Sequence, residues 1–186
     1  RTNGGNKAWR IHKFVYGRRH CFYCFDIVGV IVHKVFQKRK MSGFNDTICA
    51  PSTPTGESAI AGIRLSGLLC GEIVEKSFGK TAQPRIACLG NYKDISQKTV
   101  DSVLYVYFKA PASYTGEDCL EIFSHGNPFI VQKLLDDLVK KGCRMADHGE
   151  FTRRAFLNKK LDLSQALAVS LSISARSQAA LTASQK

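Results

Sequence analysis

The chain has 186 residues, 44% of them hydrophobic, and a formal charge of +12. That length holds one ordinary domain with room for part of a second, and the apolar content is enough for a packed core, which excludes a disordered chain. The longest apolar run, Ile27 to Val32, is far short of the roughly 20 residues that cross a bilayer, so no membrane partner is expected.

The charge is uneven. Residues 1–40 hold ten Lys and Arg against Asp26 alone, leaving 17 basic and 14 acidic residues for the remainder. The same stretch carries seven of the 18 aromatic side chains. Three readings of this basic extension compete: a nucleic-acid arm with aromatics for stacking bases, a targeting presequence rich in Arg and poor in acids, or translated sequence upstream of a start at Met41. With no initiating Met and no clear amphipathic period, the third is preferred. Within it Cys21-Phe-Tyr-Cys24, near His20 and His33, supplies half of a zinc spacing and lacks the second pair that a structural site needs.

After Met41 the pattern becomes that of a folded domain. Thr47 to Ala50 is short and β-like, and Pro51, Pro54 and Gly56 break it into a loop. Ser58 to Leu65 reads as a buried strand, and Leu68 to Phe78 has apolar residues near a helical period. Strands are predicted at Arg85 to Leu89, Val100 to Phe108 and Cys119 to Phe123, with a turn at Tyr114 to Asp118. The best-defined helix starts at Asn127-Pro128, an N-cap followed by a first-turn proline, and ends at Lys140-Lys141-Gly142. A last helix starts at Asp162, where Asp162 and Gln165 have capping-box spacing, and runs to the final residues. This order reads as α+β with one trailing helix.

Seven cysteines, those after position 40 set among apolar neighbours, read as buried free thiols in a reducing compartment. That usage also argues against glycosylation at the Asn45 sequon. Gly79-Lys80-Thr81 resembles the end of a phosphate-binding loop, but position 74 is Val and Pro84 follows, so it is a decoy. His125 lies at a strand-to-helix turn, either as an anion receptor or, the preferred reading, as a turn-stabilising residue. Glu121 in CLEIF and Arg64 in GIRLSG are charges inside apolar strands. Burying either alone is too costly, so they pair with each other or face a ligand, and periodicity favours the pair.

Taken together, TIxA near Met41, IRLSG at 63–67, YTGEDCLEIFSHGNP at 114–128 and GEFTRRAFLNKKLDLSQA at 149–166 resemble, in order and spacing, the N-terminal part of the tRNA modification GTPase family MnmE/TrmE. The resemblance covers 41–186 and none of 1–40. It implies a folate-binding dimerisation domain over 41–160, similar in fold to the folate domain of aminomethyltransferases, and the first helix of a truncated helical domain over 161–186. It further implies a homodimer binding a tetrahydrofolate derivative, in its 5-formyl or 5,10-methylene form, and cytoplasmic action with the FAD-dependent MnmG protein on the wobble uridine of tRNA. A mitochondrial location is the alternative if 1–40 derive from a presequence. The family's folate contacts match Arg64, Glu121 and Lys160, and the resemblance assigns no catalytic residue and no metal ligand to this part. GTP, Mg2+ and K+ belong to a GTPase domain, none of whose motifs stands in 41–186, so no GTP hydrolysis by this chain alone is expected.

The resemblance is imperfect at Gly56-Glu-Ser-Ala59, at His125-Gly-Asn127, at His148 and at Lys159, where the family favours other residues. The stretch 149–163 is expected to be a connector that carries Lys160 to the folate pocket while Phe151, Phe156 and Leu161 pack. Competing readings are a stand-alone folate-binding or dimerisation module without catalysis, and a small basic RNA-binding protein carried by 1–40.

Overall fold

The computed structural model describes residues 46–184, so the readings of residues 1–40, of Cys21 and Cys24 and of the Asn45 sequon lie outside the described residues. The strands are β1 (Ile48–Pro51), β2 (Ser58–Ser66), β3 (Ala87–Lys93), β4 (Thr99–Phe108), β5 (Cys119–Gly126) and β6 (Arg144–Met145). The helices are α1 (Cys70–Phe78), α2 (Pro128–Lys140), α3 (Glu150–Leu157), α4 (Leu163–Ser174) and α5 (Gln178–Ser184). The strands form an open six-stranded sheet in the order β3-β4-β5-β2-β1-β6. Each neighbouring pair is antiparallel except β1 with β6, which is parallel.

Alternation along the strands gives the sheet two unlike faces. On one, Ile63, Leu65, Tyr105, Tyr107, Leu120 and Ile122 are buried under Ile73 and Val74 of α1 and Leu134, Leu135 and Leu138 of α2. This is the core, and its polar members are satisfied. Lys141 and Asp137, both buried, pair at 2.6 Å, and Tyr92 donates to Asp137 at 2.8 Å, which ties the β3–β4 turn to the end of α2. On the other face a cross-strand row runs Ala87, Val106, Glu121, Arg64, Ala50. No helix of the core lies over that row.

Most predicted elements appear with shifted ends. The Leu68 helix begins at Cys70, because Leu68 is exposed and Gly67 turns at φ 136, where an added Cβ would meet the Thr47 backbone at 2.6 Å. The Arg85 strand begins at Ala87, since Arg85 itself adopts a left-handed φ of 61. Asn127 caps α2 by accepting from Phe129 N–H and Ile130 N–H, with Pro128 in the first turn. Asp162 and Gln165 make the expected capping box of α4.

Two expectations are corrected. The trailing helix does not run unbroken: Ala175 is extended, and Ser177 accepts from the Ala180 N–H at 3.2 Å, capping α5 as a separate helix. A polar side chain that captures a nearby amide competes with helix continuation. Secondly, 149–163 is no plain connector, since it contains α3. Its buried residues are Glu150, Arg154 and Ala155, whereas Phe156 is exposed and Phe151 and Leu161 are only half-buried. Helix α4 buries none of its residues against the described part of the chain. No helix among the described residues is long and apolar enough to cross a membrane.

Leu120 is fully buried at the centre of this core. Leu120→Ala is expected to lower unfolding free energy by about 2–5 kcal/mol, the cost of lost transfer plus a residual cavity, read as a lower urea midpoint with unchanged slope.

Candidate functional site

The cross-strand register sets Arg64 directly opposite Glu121. Arg64 Nε donates to Glu121 Oε1 at 2.9 Å, and Nη2 forms an ion pair with the same oxygen at 2.8 Å. The pairing that periodicity favoured is therefore present, but it uses only half of the carboxylate. Glu121 Oε2 has no hydrogen-bond partner among the described residues, and both side chains are partly exposed. The Arg64 guanidinium also sits 5.4 Å from the Tyr114 ring centre and 6.0 Å from that of Phe151, so two aromatic faces hold it in place.

A cavity of about 410 Å³ opens over this pair. Arg64, Glu121 and Lys160 all line it, with Arg85, Phe108 and Tyr114 among its other walls. Lys160 arrives there because of how α3 ends. Lys159 takes φ 59, its N–H donates to Phe156 O at 3.0 Å, and the Lys160 N–H donates to Ala155 O at 2.8 Å. These are the two bonds of a Schellman cap, which reverses the chain at a position that glycine normally occupies. Lys160 then packs across Gly116, where a Cβ would stand 3.1 Å from the lysine Cγ.

The wall containing Tyr114 is a loop, 109–118, clamped along α3. Tyr114 OH meets Thr152 Oγ1 at 2.9 Å, Asn158 donates to Thr115 O at 2.7 Å, and Glu117 accepts from Arg154 at 3.1 Å. Glu117 also accepts from Ser66 on β2 at 2.6 Å. Arg154, only 3% exposed, donates further to Asp46 Oδ1 at 2.7 Å and Glu150 Oε1 at 3.2 Å. Arg144 takes Glu150 with two nitrogens, at 2.7 and 3.1 Å, and Asp46 at 2.7 Å. Burial by itself would raise the Glu150 carboxyl, but bonds from Arg144, the Asp147 N–H and Arg154 overcome it and hold the group at about 2.

Sequence reasoning missed Arg85, Phe108, Tyr114 and the Arg154 network. Arg85 was hidden inside a predicted strand, and Arg154 in a stretch whose many charges read as solvated; the one available signal was the i, i+4 spacing of Glu150 and Arg154 with Ala155 beside them. His125 behaves as a turn-stabilising residue: its backbone N–H and Nδ1 both contact the Asp101 carboxylate at 2.9 Å, while its ring is exposed. Gly79 of the GKT decoy caps the C-terminus of α1 in the left-handed region, the opposite end from that a phosphate loop requires. The five described cysteines are free thiols, four of them buried.

Residues 47–160, which contain every wall of this cavity, match the family described as GTP-binding protein TrmE N-terminus. The chain belongs to that family. Among curated proteins, the chain is 52% identical over 143 residues to the tRNA modification GTPase MnmE of Opitutus terrae, covering 77% of the chain and 32% of the relative. It is 45% identical over 142 residues to the MnmE of Fervidobacterium nodosum, covering 73% and 31%. Against the MnmE of Francisella tularensis subsp. holarctica the identity is 48% over 142 residues, covering 76% and 31%. The chain thus spans about a third of the length of these relatives, each of which is named a tRNA modification GTPase.

Two outcomes follow from the site's frame. Glu150 has a depressed carboxyl, so its stabilisation is full above its unfolded value near 4.3 and lost as pH falls toward about 2. Glu150→Gln is expected to cost about 3 kcal/mol at pH 7, and the gap from wild type should shrink progressively below about pH 4.5, read by urea unfolding across that range. Lys159→Gly removes a side chain from a left-handed position and should raise stability by about 1 kcal/mol, seen as a higher thermal midpoint.

Proposed function

We propose that the chain is the folate-binding N-terminal part of a tRNA modification GTPase, with Arg64, Glu121 and Lys160 as its folate contacts. The observation that carries this reading is the half-used carboxylate: Glu121 Oε2 is unpaired at a cavity of about 410 Å³ whose other charged walls are cations. A pterin ring offers N–H donors in one plane, which a carboxylate oxygen accepts, and the aromatic rings of Phe108 and Tyr114 supply flat apolar walls. Arg64 orients the Glu121 carboxylate through Oε1, and Lys160 faces polar or anionic groups of the ligand. The residues present therefore fit a reduced folate. When bound, tetrahydrofolate supplies a one-carbon unit; this chain's side chains bind and orient it.

The wider assignment extends from the relatives' name. In this reading the domain shares the fold of aminomethyltransferase folate domains, dimerises, and acts in the cytoplasm with the FAD-dependent MnmG protein to place an aminomethyl-type group on the tRNA wobble uridine. GTP, Mg2+ and K+ would serve a GTPase domain in the longer family proteins, and residues 161–186 would begin a helical domain. The 52% identity to a tRNA modification GTPase supports this over an isolated basic RNA-binding protein.

Calorimetric titration of the chain with 5-formyltetrahydrofolate tests the site. Saturable binding is expected, weakened roughly 10- to 100-fold by Glu121→Ala, which removes the pterin acceptor, and comparably by Arg64→Ala. Binding by wild type that neither change weakens would remove both residues from the pocket.

A further inference from the structure

Two cations at the cavity have no carboxylate partner among the described residues. Arg85 donates from Nη2 to the Ala112 carbonyl at 3.3 Å, and Lys160 donates to the Pro111 carbonyl at 3.1 Å. Those carbonyls belong to neighbouring residues, so the two charged groups lie within roughly 12 Å of each other. The remaining cation lining the cavity, Arg64, is matched by Glu121, and Lys109 at the start of the loop is matched by Asp118. With the Arg64–Glu121 pair cancelling, the cavity keeps two uncompensated positive charges, both at the 110–113 loop.

The backbone holds Arg85 there at a cost. Its φ of 61 is disfavoured for a residue with a Cβ by about 1–2 kcal/mol. The Arg85 N–H donates to Tyr107 O at 2.7 Å and Pro84 bridges to Tyr107, so the segment before β3 is fastened to the end of β4 beside the cavity. A strained residue fastened beside a ligand-sized cavity, carrying an unneutralised guanidinium into its wall, is placed to meet an anion.

We propose that Arg85 and Lys160 form a two-point clamp for a poly-γ-glutamyl tail, so that the site prefers folates carrying several glutamates to those carrying one. This rests on the folate reading above. Each γ-linked glutamate leaves one free α-carboxylate, so a longer tail adds anions in series while leaving the pterin end unchanged. A single glutamate brings two carboxylates on one residue, and each further γ-linked glutamate brings one more, so a longer tail offers additional anions to the two cations. Arg85 and Lys160 are exposed, so the gain is modest and falls with salt.

The test is calorimetric titration of the chain with 5-formyltetrahydrofolate bearing one or three glutamates, using wild type, Arg85→Ala and Arg85→Glu, each checked for native unfolding temperature. Wild type is expected to bind the triglutamate roughly 5–20-fold more tightly at low salt, with the ratio shrinking in about 0.5 M salt. The ratio should fall within about twofold of unity in Arg85→Ala and lower still in Arg85→Glu. Equal wild-type affinity for the two forms, with saturable binding of both, overturns the clamp and leaves the folate reading standing. A preference that survives in both variants also overturns it. Absence of binding by either form removes both proposals together.

Discussion

A guanidinium buried at 3% exposure cannot shed its proton and cannot leave its N–H donors unused without a penalty of several kcal/mol. Arg154 is in that position, and it draws acceptors from three separate stretches: Asp46 ahead of β1, Glu117 in the β4–β5 loop, and Glu150 one turn back on its own helix. Satisfying one side chain thus fixes three segments against each other. Tyr114 and Lys160 stand on two of those segments, so the cavity walls inherit their placement from a group that touches no part of the cavity itself. Arg144 supports the arrangement from below by holding Asp46 and Glu150 together.

The second constraint is the sheet's division of labour. One face is closed by α1 and α2 and holds nearly every large buried apolar side chain. The same strands, read one residue out of phase, place Arg64 and Glu121 side by side on the opposite face. Cavity-lining groups and core groups therefore alternate along β2 and β5, and a shift of one residue in either register would exchange them. The position of the site is as fixed as the core is, because both depend on one pairing.

Much of this was legible in the sequence. Alternation in β2 and β5, the Asn127-Pro128 cap and the Asp162 capping box are local signals, and each reappears in the structure because nothing distant competes with it. The odd charges Arg64 and Glu121 were also readable, since a charge within an apolar strand demands a partner. What was not legible depends on distant partners. The charges of α3 looked solvated because Arg154 is satisfied by Asp46 and Glu117, residues that no window around position 150 contains. Two-residue β6 is strand only by virtue of β1, about a hundred positions earlier. Arg85 was concealed by a strand propensity that its left-handed turn overrides.

The separation of those partners matters to a chain made in one direction. Strands β1 and β2 leave the ribosome together and can pair at once, but Asp46 must wait for Arg144 and Arg154, and the cavity lacks a wall until Lys160 has followed. At synthesis rates of about 5–20 residues per second, that interval is on the order of 5–20 seconds. Throughout it β1 lacks β6 on its outer edge and Asp46 has neither arginine. The cavity is accordingly among the last features a nascent chain can complete, and its completion coincides with the closure that ties Asp46 to α3.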